Sequence, residues 1–257
     1  MGISGAAIAT VLGQWSAAVI GIILNKVQNR EIHFAFHGFR MKKEDVVLIY
    51  KVGAPTILTQ AFGSIMVAGM NVILNMFSET AVAFFGVYYK LQNFLFMPMN
   101  GLGQGSLPIV GFNYGAGKKE RIVRTCKVSI GIGVVIGIVG TLIFQLFPEA
   151  LLQIFSAGDE MLELGVLALR IISIPFALTA VTMICGYLVS GLGNGTVNMI
   201  ATAIRQLVVL LPLVLLFGRM GGSEKMWYAF WVSEICAFIF AAVSLKRRLK
   251  FQPEKRA

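Results

Sequence analysis

Seven apolar runs, each about as long as a membrane-crossing helix, constrain this chain more than any other feature: roughly 4–25, 46–77, 81–113, 124–147, 164–190, 194–218 and 226–245. A helix needs about 20 apolar residues to cross the hydrocarbon core. Hydrocarbon offers no partner to an unpaired backbone amide, and the runs do not alternate as barrel strands do, so they are read as helices. Charged residues make up only 13% of the chain, against about 25% in a soluble domain. The sequence therefore predicts an all-α fold, a polytopic membrane helix bundle with about seven transmembrane helices. The second and third runs exceed one straight crossing and contain Pro55, Pro98 and Pro108. Extended helices with proline kinks are expected there.

Positive charge sets the topology. Lys26, Arg30, Arg40, Lys42 and Lys43 follow the first run, and Lys118, Lys119, Arg121, Arg124 and Lys127 follow the third. Lys246, Arg247, Arg248, Lys250, Lys255 and Arg256 follow the seventh. Simple alternation places all three clusters on one side, while 78–80 and 148–160 carry no Lys or Arg. The clustered side is then cytoplasmic, with the C-terminus inside and the N-terminus outside. The net charge of +10 accordingly points to lipid headgroups and not to nucleic acid. The first run begins almost at Met1 with no flanking charge. It reads as the last helix of an absent N-terminal lobe (1–25), followed by a basic cytoplasmic linker (26–45). A six-helix lobe (46–247) and a basic cytoplasmic tail (248–257) complete the expected organisation.

The stretch GLGQGSLPIVGFNYGAGKKER at 101–121 has the glycines of a phosphate-cradling loop. Such a loop needs a strand before it and a soluble helix after it, and 84–113 is instead one long apolar run. Here the glycines are expected to permit close helix contact and a bend before Lys118 and Lys119 reach the headgroups. Gly133 and Gly137, in GIGVVIG, form a small-xxx-small pattern suited to helix packing. GLGNG at 191–195 reads as a tight hairpin.

Ionisable groups inside a bilayer cost about 2.5–3.5 kcal/mol on insertion scales and need a partner, a cavity or a function. Lys90, Arg205 and Glu234 lie near mid-span. The sixth and seventh runs are consecutive and antiparallel, so Arg205 and Glu234 could share a depth. They are candidates for a structural ion pair or for coupling. Lys90 shares its helix with Gln92, Asn93 and Asn100 and is a candidate cavity residue. Gln60, Ser64, Asn71 and Asn75 fall on one face of the second run; they line a cavity or join helices. Met97 is the corresponding apolar candidate, with Met66, Met70, Phe94 and Met99 beside it in interest. Pro55, Pro98, Gly101 and Pro108 are hinge candidates. His33 and His37 lack further ligands, so no metal site is predicted. Cys126, Cys185 and Cys236 read as buried thiols, and no catalytic constellation or enzyme motif is present.

The 101–121 stretch, continued to Arg124, resembles the end of the eighth helix and the following loop of the multidrug and toxic compound extrusion (MATE) transporters. KVGAPTILTQAFGSIMVAGMN from Lys51, YKLQNFLFMPMNGLGQG from Tyr89, LVSGLGNGT from Leu188 and RQLVVLLPLVLLFG from Arg205 fall in the matching order. The resemblance implies two six-helix lobes related by pseudo-symmetry. This chain would supply the last helix of the first and all of the second, in the inner membrane of a bacterium. It also implies secondary active antiport of drugs and organic cations against protons or sodium, without a cofactor. Sodium-coupled members of the vibrio type carry acids in their seventh and tenth helices. The corresponding positions here, near Gly63 and Thr179, carry none, which implies coupling through a carboxylate of the first lobe. Two other expectations stand beside this one: a lipid-linked oligosaccharide flippase of the same superfamily, and a non-transporting membrane scaffold.

Overall fold

The computed structural model describes residues 2–28 and 42–250. His33, His37 and most of the basic linker, and the end of the basic tail, lie outside them. The described residues fall into two units divided after Leu48. In the first, α1 (Gly2–Gln28) is a 27-residue helix whose Leu12, Trp15, Val19 and Ile23 are all exposed.

The second unit begins within α2 (Lys43–Asn75) and continues through α3 (Glu79–Gly115). Between them the Ser78 hydroxyl accepts the Ala81 N–H at 3.3 Å, which caps α3. At its other end the Lys118 N–H donates to the Asn113 carbonyl at 2.9 Å and Gly117 takes φ +69°, a left-handed stop. Thus Gly117 serves the turn. Gly103 lies under the Tyr187 ring, whereas a side chain at Gly101 or Gly105 would meet only open space. Close helix contact was expected from all these glycines, and Gly101 and Gly105 do not make it among the described residues.

α4 (Lys119–Leu146) leads to a short α5 (Pro148–Gln153), inside the stretch 148–160 between the fourth and fifth apolar runs. Proline at the first position suits a helix start, where its missing N–H is not needed. The fifth apolar run divides into α6 (Asp159–Ser173) and α7 (Phe176–Gly191), bent by 52°. Pro175 explains the break. It cannot donate to the carbonyl four residues back, Ile171, and the Trp231 indole N–H donates there instead, at 2.6 Å. Gln145 Nε2 donates to the Arg170 carbonyl at 2.7 Å, and the Thr141 hydroxyl to the Ser173 carbonyl at 2.8 Å. Three side chains from elsewhere thus satisfy the end of α6. Trp231→Phe is expected to leave the Ile171 carbonyl unpaired and to cost about 1–3 kcal/mol. A thermal melt of the purified protein in detergent checks this, and an unchanged midpoint would contradict it.

α8 (Gly195–Ala203) runs into a π-helical turn, Ile204–Leu210, and on into α9 (Leu211–Lys225). Pro212 removes the α-type partner of the Val208 carbonyl, and the wider coil is the local response. Gly221 and Gly222 are non-helical, which lets the chain turn before Met226–Tyr228 and α10 (Ala229–Lys250).

Among the described residues five stretches are long and apolar enough to cross a membrane: Ala7–Val27, Gly53–Asn75, Lys119–Leu146, Gly195–Gly222 and Met226–Leu249. The bent pair α6–α7 makes a sixth. α3, with 37 residues, has ample length but carries Lys90, Gln92, Asn93, Asn100 and Gln104 along its middle. Pro55 lies inside α2, and Pro98, Gly101 and Pro108 inside α3, both continuous helices.

One core cluster holds Phe84, Tyr88, Trp227 and Phe230, with Phe84 edge-on to Trp227 at 5.0 Å between ring centres. A second gathers Val110, Cys126, Ile184, Cys185, Leu188 and Ala241. The outward faces stay apolar, as Val135, Ile138, Val139 and Leu142 of α4 show. A surface of that kind suits lipid and not water.

Candidate functional site

Polar residues at helical spacing build one large concavity, of about 790 Å³. From α2 come Thr59, Gln60, Gly63, Ser64, Val67 and Asn71. From α3 come Tyr89, Gln92, Asn93, Phe96 and Asn100, at intervals that keep them on one helical face. α7 adds Met183 and Tyr187, α8 adds Asn198 and Thr202, and the π turn adds Arg205 and Gln206. Phe230, Ser233 and Glu234 of α10 complete the wall. Neutral amides and aromatic rings dominate, a lining that gives hydrogen-bond donors and acceptors without net charge.

The two charged groups neutralise each other. Arg205 Nη1 lies 3.6 Å from Glu234 Oε1, and their side chains are only 16% and 8% exposed. The π turn holds Arg205 against α10; such turns recur at functional sites. Beside them, Gln206 Oε1 is buried and has no hydrogen-bond partner among the described residues.

Two close approaches fix the amides. The Tyr187 ring lies on Gly103, where a Cβ would collide with it, and its hydroxyl donates to Asn100 Oδ1 at 3.0 Å. Gly186 likewise leaves room for the Asn198 amide.

Of the residues singled out from sequence, Gln60, Ser64, Asn71, Asn93, Asn100, Arg205 and Glu234 converge on this cavity. Three others do not, and each has a geometric reason. Asn75 shares the face of Asn71 but lies a turn beyond the cavity and is exposed. Lys90 is one residue from Tyr89, hence about 100° around α3. Its ammonium sits 5.8 Å from the centre of the Phe155 ring, in the segment between α5 and α6. Met97 is displaced in the same way from Phe96 and is 65% exposed. Met66 lines the cavity, Met70 and Met99 are buried in the core, and Phe94 is exposed.

Sequence reasoning passed over Asn198, Thr202 and Gln206. They stand at i, i+4 and i+8, a polar stripe of the same kind as that on α2. Tyr187 carried no local signal, because what aims it is Gly103 on another helix.

The sequence profile of the MatE family matches residues 55–216. The multidrug export protein MepA of Staphylococcus haemolyticus is 24% identical over 249 residues, covering 95% of this chain and 54% of that protein. The structure of the MATE multidrug transporter DinF-BH superposes with a TM-score of 0.80 at 32% identity, covering 96% of this chain and 56% of that one. An outward-facing multidrug resistance transporter of the MATE family superposes with a TM-score of 0.87 at 22% identity, covering 97% and 56%. The chain thus spans about half the length of the relatives it matches. The family profile extends from Pro55, in the first helix of the cavity wall, to Leu216 within α9, and takes in every lining residue except those of α10: this chain belongs to the MatE family.

Proposed function

We propose that this chain supplies one wall of a drug-export pathway, as the second lobe and the last helix of the first lobe of an antiporter in a bacterial inner membrane. Its C-terminus is cytoplasmic in this reading, which the clustering of basic residues on one side supports. The observation that carries the proposal is the cavity. Its volume of about 790 Å³ lies within the range of about 300–1,000 Å³ that holds drug-sized ligands. The other wall belongs to a first lobe, which relatives of about twice this length have room to contain. Organic, mainly cationic, compounds are the proposed substrates, and protons or sodium the driving ion. Gly63 and Thr179 offer no carboxylate, and the one carboxylate in this wall, Glu234, is paired with Arg205. The net negative charge for a cationic substrate or ion is therefore assigned to the first lobe. An oligosaccharide-lipid flippase would call for a cationic wall, and Lys90 turns away from the cavity while Arg205 is neutralised.

Ethidium efflux from drug-sensitive bacteria tests this, with proton and sodium gradients imposed separately. The chain alone is expected to insert without exporting ethidium. The chain joined behind the first lobe of a MatE relative is expected to export it with one of the two gradients. Gradient-driven export by the chain alone would contradict the need for a first lobe. Failure of the joined protein to export any of a panel of organic cations would contradict the transport reading.

A further inference from the structure

The cavity uses one side of α3. Between α3 and α4 lies a separate groove of about 850 Å³. Its upper floor is Gly101 and Gly105, where a side chain would meet open space, continued by Ile109. Next to Gly105, the Ser106 and Ser129 hydroxyls bond at 2.7 Å and bring the two helices together. At the basic end stand Arg121 and Arg124, three residues apart on one face of α4 and both exposed. Among the described residues neither forms a salt bridge. Asn113 also lines the groove and is only 7% exposed. Its Nδ2 donates to the Ile109 carbonyl at 2.8 Å, and its Oδ1 has no partner among the described residues.

We propose that a membrane glycerophospholipid occupies this groove. Its phosphate lies between Arg121 and Arg124, a headgroup ammonium or hydroxyl donates to Asn113 Oδ1, and one acyl chain runs over Gly105 and Gly101. Guanidinium groups are the side chains best matched to phosphate oxygens. The buried Oδ1 is an acceptor, which phosphate cannot satisfy but an ethanolamine or glycerol headgroup can. The dimensions agree: Gly101 to Asn113 is about 18 Å along the helix, close to the roughly 15 Å of one hydrocarbon leaflet. Charge also separates a lipid from a helix of another lobe. Every phospholipid brings an anionic phosphate to Arg121 and Arg124, whereas the apolar face of a membrane helix brings no charge to them. A lipid satisfies both arginines and the Oδ1 and fills the floor.

Native mass spectrometry of the delipidated chain, titrated with phosphatidylglycerol, provides the test. One lipid is expected to bind ahead of the rest. Arg121→Gln combined with Arg124→Gln is expected to weaken that binding by about tenfold or more. Lys127→Gln, a basic residue at the same end but outside the groove lining, is expected to leave it unchanged. Gly105→Leu fills the floor and is expected to abolish it with helix content preserved; if that variant does not fold, Val128→Phe blocks the groove from the α4 wall. Soluble glycerophosphoglycerol at equal concentration is expected not to displace the lipid. Equal binding by wild type and the arginine variant, an equal loss with Lys127→Gln, or retention in the groove-filling variant would overturn the proposal. Full displacement by the soluble headgroup would make this a phosphate site and not a lipid site. Loss of the bound lipid when a first lobe is joined would assign the groove to that lobe.

Discussion

Glu234→Leu is expected to destabilise the bundle by about 3–5 kcal/mol, the usual cost of removing one partner of a buried ion pair. The side chains of Arg205 and Glu234 meet at 3.6 Å and are almost wholly screened by α10, the π turn and the cavity wall. Without the carboxylate, the guanidinium keeps its charge, because arginine does not deprotonate in proteins. It then has no compensating group among the described residues. The double variant Arg205→Met, Glu234→Leu is expected to recover most of the loss, since a packed apolar pair often does as well as a buried ionic one. Thermal melts of the three proteins in one detergent decide the matter. A single variant that melts with the wild type would mean that the pair is held at little net benefit.

Gly137→Val is the second large effect, expected at about 3 kcal/mol or more. A Cβ at Gly137 would lie 2.7 Å from Ala177 Cα and 2.9 Å from the Phe176 carbonyl. Both are backbone atoms, so no rotamer change makes room and α4 must move away from α7. Gly131 on the same helix is the control. A Cβ there meets nothing within 4 Å, and Gly131→Ala is expected to be neutral or to stabilise by up to about 1 kcal/mol through helix propensity. Equal effects from the two substitutions would contradict the close α4–α7 contact.

Apolar length and basic clusters made the spans legible, because a bilayer imposes the same demand on every crossing. The bend between α6 and α7 was not legible, although Pro175 is plain in the sequence. Pro55, Pro98 and Pro108 are equally plain and lie within continuous helices. What distinguishes Pro175 is distant in sequence: Gln145, Thr141 and Trp231 satisfy the carbonyls that a broken α6 leaves open. A proline permits a break, and its neighbours in space decide whether one forms.

The site followed a similar rule. Spacing on α2 put Gln60, Ser64 and Asn71 on one face, and all three line the cavity, yet spacing says nothing of where along the helix a cavity ends, and Asn75 falls past it. On α3 Lys90 and Met97 stood out by chemical character, whereas the face that turns inward is set by Tyr89, Gln92, Asn93, Phe96 and Asn100. One residue of offset is about 100°, enough to send Lys90 to Phe155. Arg205 and Glu234 were legible as a pair because antiparallel neighbours share depth.

The most direct measurement is ethidium efflux by the chain joined behind a relative's first lobe and carrying Ser64→Trp. Ser64 is exposed on the cavity wall, so an indole there occupies the path without disturbing the core. Lys90→Ala, outside the cavity, is the matched control. If this concavity is the export pathway, Ser64→Trp abolishes efflux at an unchanged melting temperature, and Lys90→Ala exports as the parent does. Undiminished efflux from the Ser64→Trp protein would place the pathway elsewhere.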